Sequence, residues 1–338
     1  MFCNLLLPKR LPESRNLLPF LPMAVRVTDF LRIFADVMIN ERIIQIDSVD
    51  AYNKLYGWET LHPLVTVLNI KESPEWLNGA TLRYGLYGIF LKQGAGCSAR
   101  YGREKYDYQE GTIVTHAPGE VFTVEWNKDL PMPPSHGLLF HPDLIYGTPL
   151  GKKIKDYSFF DYGDHESLHL SQAERTVIIA LMDQIETEMQ HAIDRHSQTL
   201  ITDTISLMLD YCLRYYDRQF ITRHKVNSEV VLAFQQQLKD YFLNGHPERN
   251  GLPTVAYFAD KACLSPNYFG DLISKESGTT AQRHIQDAVI ERSKQLLIET
   301  RLPVSEIAYQ LGFEYPQHFS RLFKSRTGMT PNAYRLTA

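Results

Sequence analysis

The chain has 338 residues, enough for about two domains of roughly 100–200 residues each, and 44% apolar with 22% charged residues is an ordinary globular balance. A formal net charge of −4 excludes a broad basic field, so a nucleic-acid partner has to be held by a few placed cations. No apolar run approaches a membrane span, and Cys3, Cys97, Cys212 and Cys263 are scattered without a CxxC, which favours buried reduced thiols over disulfides or zinc.

Met1–Pro22 is rich in Leu and Pro, and Pro8, Pro12 and Pro19 interrupt any signal-peptide core. The reading for 1–25 is a disordered leader, or a start at Met23. Leu64–Ile70 and Tyr84–Leu91 predict strands, the second with Gly85 and Gly88 as bulge or close-packing points. Ala99–Tyr101 and Lys105–Tyr108 around Gly102 predict a hairpin, and Thr112–Thr115, Val121–Glu125 and Gly137–Phe140 continue the series. Short strands at this spacing predict a sandwich or small barrel.

The pattern turns helical near His169. Ser171 and Glu174 form an S-x-x-E capping box, followed by Val177, Ile178, Leu181, Met182, Ile185 and Met189 at helical spacing. A second helix over roughly Gln198–Arg218 carries Ile201, Ile205, Met208, Leu209, Cys212 and Tyr216. The two predict an antiparallel hairpin whose apolar stripe serves either the core or a dimer seam. The polar, basic stretch Gln219–Asn227 reads as a linker, and the rest is helical. From Val226 onward there are 12 Lys and Arg against 11 Asp and Glu, whereas the preceding residues have 23 against 28, an asymmetry in the direction that suits DNA binding by the C-terminal half.

That half contains a repeat. Phe269 matches Phe319, Leu272 matches Leu322, Ile273 matches Phe323, Gly278 matches Gly328 and Thr280 matches Thr330, all at an offset of 50, whereas Ala259 and Ala308 are 49 apart. The second turn is therefore one residue longer. In each copy a small Ala lets one helix approach the next, a tight turn follows, and a start signal opens the second helix: Ser265 with Pro266, then Pro316. Gly312 suits a positive φ in the second turn. A helix over Thr280–Thr300 joins the copies and sets their separation; about one DNA turn would let both enter successive major-groove segments.

The run Val304-Ser-Glu-Ile-Ala-Tyr-Gln-Leu-Gly-Phe313, then Phe319-Ser-Arg-Leu-Phe-Lys324 and Gly328-Met-Thr-Pro331-Asn-Ala-Tyr-Arg335, closely resembles the signature of AraC/XylS-type regulators over about a hundred C-terminal residues. The resemblance implies a bacterial transcription factor, usually an activator. It further implies an N-terminal cupin-like barrel that binds a small effector and a helical region that dimerises.

The implied fold is α+β with two domains: a cupin-like β-barrel or sandwich with an antiparallel helical hairpin, then an all-α domain of two helix-turn-helix units joined by a long helix. The boundaries are 26–168 for the sensor, 169–218 for the dimerising hairpin, 219–227 for the linker and 228–338 for the DNA-binding domain. The implied partners are double-stranded DNA, a small-molecule effector, a second copy of the chain and, for an activator, RNA polymerase, in the cytoplasm at the nucleoid and away from membranes. No cofactor is expected.

In the second unit Gln317, His318, Ser320, Arg321 and Lys324 are the expected DNA-facing positions. Arg321 suits a bidentate guanine contact, with a phosphate contact as the alternative; Gln317 suits adenine; Lys324 and Arg326 suit phosphates or a solvated surface. For His318 the alternative to a base contact is capping the packing on Phe319. In the first unit the candidates are Ser265, Asn267, Asp271 and Lys275, with Gly270 and Asp271 standing where many family members carry long polar or basic side chains. Asp271 either accepts from cytosine or pairs internally with Lys275.

A cupin can also be a metalloenzyme. His62, His116, His136, His141 and His165 are present, yet no HxH pair has a nearby Glu, and no nucleophile motif or phosphate loop is found. His141, in Leu138–Ile145, reads as a strand-to-helix junction. The alternative retained is a metal-binding or enzymatic cupin fused to a DNA-binding module. A third is a barrel that only dimerises, packed dry by Phe90, Phe122 and Phe140. Tyr84, Tyr101, Tyr106 and Tyr108 either line a mouth that stacks a ligand or are ordinary strand residues.

Overall fold

A computed structural model describes residues 43–92, 111–124, 134–163 and 166–337. The architecture below is that of the compact unit Gln45–Ala338. The leader, the hairpin around Gly102, Tyr101, Tyr106, Tyr108, His165, Cys3 and Cys97 lie outside the described residues.

The N-terminal region is β-rich. Strands β1 (Ile44–Ile46), β3 (Thr81–Tyr84) and β6 (Val121–Thr123) form one sheet; β2 (Val65–Ile70), β7 (Ser135–Phe140), β4 (Tyr87–Lys92), β5 (Gly111–His116) and β8 (Leu168–Leu170) form a second, in that order. A short helix, α1 (Val49–Tyr56), follows β1. All pairings in the second sheet are antiparallel, and Phe90 sits opposite Val114 on one side and Gly137 on the other. Every residue of β5 is buried, as expected of a central strand covered on both faces.

The single strand expected over Tyr84–Leu91 is two. Gly85 turns the chain between them: its N–H donates to the Ile46 carbonyl at 2.9 Å, and a Cβ there would lie 2.8 Å from the Asp47 carboxylate. Tyr84 is 3% exposed and packs edge-on against Phe122, Tyr52 and His116, so it belongs to an aromatic core and not to a pocket mouth. His141 caps α2 (Pro142–Ile145), its Nδ1 accepting from the Asp143 N–H. Helix α3 (Pro149–Lys153) follows, capped by Thr148.

Two long helices cover this sheet. α4 (Gln172–Met189) opens on the full Ser171–Glu174 capping box, and α5 (Ser197–Thr222) runs back along it. Arg218 on α5 grips the Glu174 carboxylate with two nitrogens, at 3.2 and 2.9 Å, and also donates to the His169 carbonyl. The stripe from Ile178 to Met189 and from Ile201 to Tyr216 is buried in the chain's own core, which resolves the choice between core and dimer seam for those residues.

The polar stretch Gln219–Asn227 is not an irregular linker. α5 continues to Thr222 and α6 (His224–Leu243) begins after the single residue Arg223, while Gln219, Arg223 and Asn227 are buried. Their polarity serves internal bonds: Gln219 ties the His169 N–H to the Ser167 carbonyl, and Asn227 donates to the Phe220 carbonyl. The remaining helices are α7 (His246–Asn250), α8 (Val255–Lys261), α9 (Pro266–Ser277), α10 (Ala281–Glu299), α11 (Val304–Gln310), α12 (Pro316–Thr327) and α13 (Pro331–Thr337). Among the described residues no helix is long and apolar enough to cross a membrane.

Candidate nucleic-acid interface

The two repeats fold alike up to a definable point. In the first, Ala259 on α8 is fully buried and its carbonyl accepts from the Leu264 N–H at 3.0 Å; in the second, Ala308 on α11 is fully buried and accepts from the Phe313 N–H at 3.0 Å. Each turn contains one left-handed residue, Cys263 at φ 55° and Gly312 at φ 86°. Beyond it the copies diverge. Ser265 caps α9 directly, its Oγ accepting from the Tyr268 N–H, whereas Glu314 and Tyr315 precede Pro316 and Tyr315 supplies no side-chain cap. That accounts for the change of offset from 49 to 50.

Gly312 is required twice over. Its φ is positive, and a Cβ would stand 2.6 Å from the Gly251 carbonyl carbon. Cys263 adopts the same backbone without a glycine and is exposed, in contrast to the buried thiol expected. Burial of Cys212 fits that expectation and pushes its thiol up to about 12.

Both second helices are anchored by aromatic rings. Phe319 and Phe323 are fully buried with centroids 5.8 Å apart, and Phe313 and Tyr334 extend the stack. Phe269 meets Phe234 of α6 edge-on at 5.4 Å. Thr280 caps α10, which buries Ile285, Val289, Ile290, Leu296 and Leu297 between the copies. Arg335 closes the far end by donating to the carbonyls of Leu297 and Leu302.

On α12 the anchoring leaves Gln317, His318, Arg321 and Lys324 exposed and Ser320 half-buried. The side chains of Gln317, Arg321 and Lys324 have no intramolecular partner among the described residues, and the His318 ring rests edge-on against Tyr315, not against Phe319. Arg326 differs from the phosphate anchor or solvated charge expected of it: it is mostly buried and donates to Gln286 at 2.5 Å.

On and beside α9 the candidate side chains Ser265, Asn267, Asp271 and Lys275 are all engaged. Ser265 donates from both its N–H (2.6 Å) and its hydroxyl to the Glu166 carboxylate. Asn267 donates to Asp161 at 3.1 Å, and Lys275 pairs with Asp217 while lying over the Phe220 ring. Asp271 does not pair with Lys275; it accepts from Ser158 at 2.6 Å and from Tyr162 at 2.5 Å. Burial and the adjacent Asp271 carboxylate hold the Tyr162 phenol well above its ordinary pKa. Tyr268 is fully buried between Tyr162 and Phe220. None of the partner acids Glu166, Asp161 and Asp217 was singled out from the sequence, because they lie 58 to 106 residues from their partners on α9 in the chain and only the fold brings them to it.

A profile described as a helix-turn-helix domain matches residues 258–337. The arabinose operon regulatory protein of Escherichia coli (strain K12) is 33% identical over 265 residues, covering 74% of this chain and 81% of the relative. The chain belongs to the AraC/XylS family of transcriptional regulators. A second AraC-family relative, the arabinose operon regulatory protein of Salmonella typhimurium, is 30% identical over 100 residues, and the match spans 30% of this chain and only 34% of that relative. The C-terminal domain of AraT, a response regulator from Geobacillus stearothermophilus, is 28% identical with a TM-score of 0.29, covering 32% of this chain and 85% of that one.

The AraC-family assignment agrees with the layout above, an N-terminal β-sheet region followed by a helical C-terminal region. Of the histidines weighed as metal ligands, His62 accepts from the Leu64 N–H, His116 stacks on Phe122 and lies 3.1 Å from Glu120, and His141 caps a helix. Among the described residues no three potential ligands cluster.

Proposed function

We propose that this chain is a sequence-specific DNA-binding transcriptional regulator whose base reading is carried chiefly by α12. The observation that carries it is the contrast between the two copies: Gln317, Arg321 and Lys324 project from a helix fixed by buried Phe319 and Phe323 and are not spent on internal bonds. A guanidinium free on a rigid helix matches the acceptor pair of guanine in the major groove, and Lys324 one turn on matches a phosphate.

In this reading the pairs α8–α9 and α11–α12 are helix-turn-helix units and the β-rich region is a cupin-like sensor, with a small effector as its ligand. The chain works as a homodimer, as an activator in contact with RNA polymerase, at the nucleoid in the cytoplasm. Support for the dimer comes from Leu200 and Leu207, two turns apart on α5 and both about half exposed, on a different side from the buried stripe.

The test is selection of preferred duplexes from a random library with the full chain, then titration of the winner at one salt concentration. Arg321→Ala should lower affinity for the selected duplex by roughly 1–3 kcal/mol while leaving mixed-sequence DNA less affected. Equal affinity of the variant and the wild type for the selected duplex would overturn the assignment.

A further inference from the structure

We infer that Tyr241 is a positioning residue for DNA reading: through Gly251 it seats the turn of the second unit and so sets where α12 lies relative to the first unit. The inference rests on the DNA-binding reading above and adds the part of the chain that fixes the spacing a pair of units recognises.

The second unit has an anchor besides α10. Along α10 it is tied by apolar packing and, at its far end, by Arg335 on the carbonyls of Leu297 and Leu302. A body held along a single helix can still rock about that helix. The turn at Gly312 supplies a second point, well away from Arg335 in the chain. It meets the loop between α7 and α8 backbone to backbone: a Cβ on Gly312 would lie 2.6 Å from the Gly251 carbonyl carbon and 2.7 Å from the Leu252 nitrogen. With backbone against backbone, no rotamer change can absorb a shift, and displacement of one segment moves the other.

The loop is fixed from its other side. Gly251 has φ 75° and ψ −166°, a conformation open almost only to glycine, and its N–H donates to the Pro247 carbonyl at 2.9 Å. Its carbonyl accepts from the Tyr241 hydroxyl at 2.9 Å. Tyr241, on α6 and 3% exposed, has little freedom of its own: His246 stacks on its ring at 5.3 Å and Tyr257 meets it edge-on at 5.3 Å. One hydroxyl therefore holds the peptide on which Gly312 rests.

The path from that turn to the reading face is short. Phe313 packs on Phe319 at 5.5 Å, and the fully buried Phe319 anchors α12, so a displaced turn displaces Arg321 and Lys324 with it. One base pair adds about 3.4 Å of rise and roughly 35° of rotation, so two units held rigidly fit one spacing and are strained on the next.

Two variants of the full chain test this, each checked for folding by circular dichroism and urea titration. Tyr241→Phe removes the hydroxyl and keeps the ring; Gly251→Ala disturbs the same peptide from its own backbone. The first readout needs no DNA. Spin labels are placed on Cys263, exposed in the first turn, and on Ser325→Cys, exposed on α12, with Cys3→Ser and Cys97→Ser to prevent stray labelling. The distance distribution should be narrow in the otherwise unchanged chain and broader in each variant. The second readout uses a duplex carrying one protomer's half of the selected site. Footprinting locates the two groove segments contacted, and one base pair is then inserted or removed between them. The wild type should lose at least about tenfold in affinity on either altered duplex. The variants should bind the matched duplex more weakly, through lost preorganisation, and lose less than about threefold on the altered ones.

Unchanged label distances in both variants would overturn the inference, as would a footprint confined to one groove segment. Broader distances with an undiminished spacing penalty would also overturn it and leave Tyr241 a stabilising residue only. Arg321→Ala serves as the control: it should weaken binding to the matched duplex and keep the full spacing penalty. A wild type that selects no duplex at all would sink the DNA-binding reading and this inference with it, whereas failure of the inference alone leaves a protein that still selects one.

Discussion

Cys263 and Gly312 stand at the same point of two turns 49 residues apart, and both have positive φ. The resemblance ends there. Around Gly312 the backbone of Gly251 and Leu252 leaves no room for a side chain, whereas Cys263 is exposed. Gly312→Ala should therefore destabilise the chain by at least about 2 kcal/mol, from left-handed strain and backbone collision together. Cys263→Gly should change stability by less than about 1 kcal/mol, since relief of strain is offset by added freedom of the unfolded chain. Urea titrations of the two variants beside the wild type decide the comparison; equal effects would show that the turns are under equal constraint.

His169 supplies a pH-dependent part of the stability. Burial, with Arg223 and Arg218 nearby, lowers its pKa from 6.5 to about 4, so the folded chain keeps the ring neutral where the unfolded chain protonates it. Because the folded value is the lower one, this contribution is fully present above pH 6.5 and is lost as pH falls toward 4. The loss should reach about 2–3 kcal/mol, and His169→Gln, which can keep a bond to Thr112, should flatten the curve over that window. Denaturation midpoints between these pH values check it. A parallel pH dependence in the variant would assign the effect to other groups.

Lys324 and Arg321 should separate by salt. Both are exposed on α12, and Lys324 lies one turn further along the helix. Lys324→Ala is expected to weaken binding to all sequences alike and to reduce the slope of log affinity against log salt by about one. Arg321→Ala is expected to act mainly on the selected duplex. Anisotropy titrations at several salt concentrations give both quantities. A sequence-dependent loss in Lys324→Ala would move that side chain from the phosphates to the bases.

Leu200→Glu with Leu207→Glu should convert a dimer to a monomer without unfolding it, because both side chains are about half exposed on α5 while its buried face is untouched. Sedimentation velocity reports the state, and the variant should also lose at least about tenfold in affinity for a two-site duplex through loss of bivalency. An unchanged sedimentation coefficient would place the dimer seam elsewhere or remove it.

Much of the C-terminal fold was legible in the chain because its signals are local. The Phe269/Phe319 register, the Ser265 cap, the Ser171–Glu174 box, the limits of α10 and the one-residue difference between the turns depend on neighbours within a few positions, where helix periodicity and capping act. The linker reading failed for the complementary reason. Gln219, Arg223 and Asn227 are polar, and polarity alone does not distinguish a solvated connection from buried groups bonded to the Ser167 and Phe220 carbonyls.

The sequence by itself determined that two matched helix pairs exist, which rings anchor them, and that Asp271 stands at a position suited to a base-reading side chain. Only the tertiary structure decided what Asp271 does. Its partners Ser158 and Tyr162 lie more than a hundred residues earlier, and a hydrogen bond acts over about 3 Å whatever the separation along the chain. Such a contact leaves no periodic trace in the sequence, so it becomes visible only when the fold sets the two segments side by side.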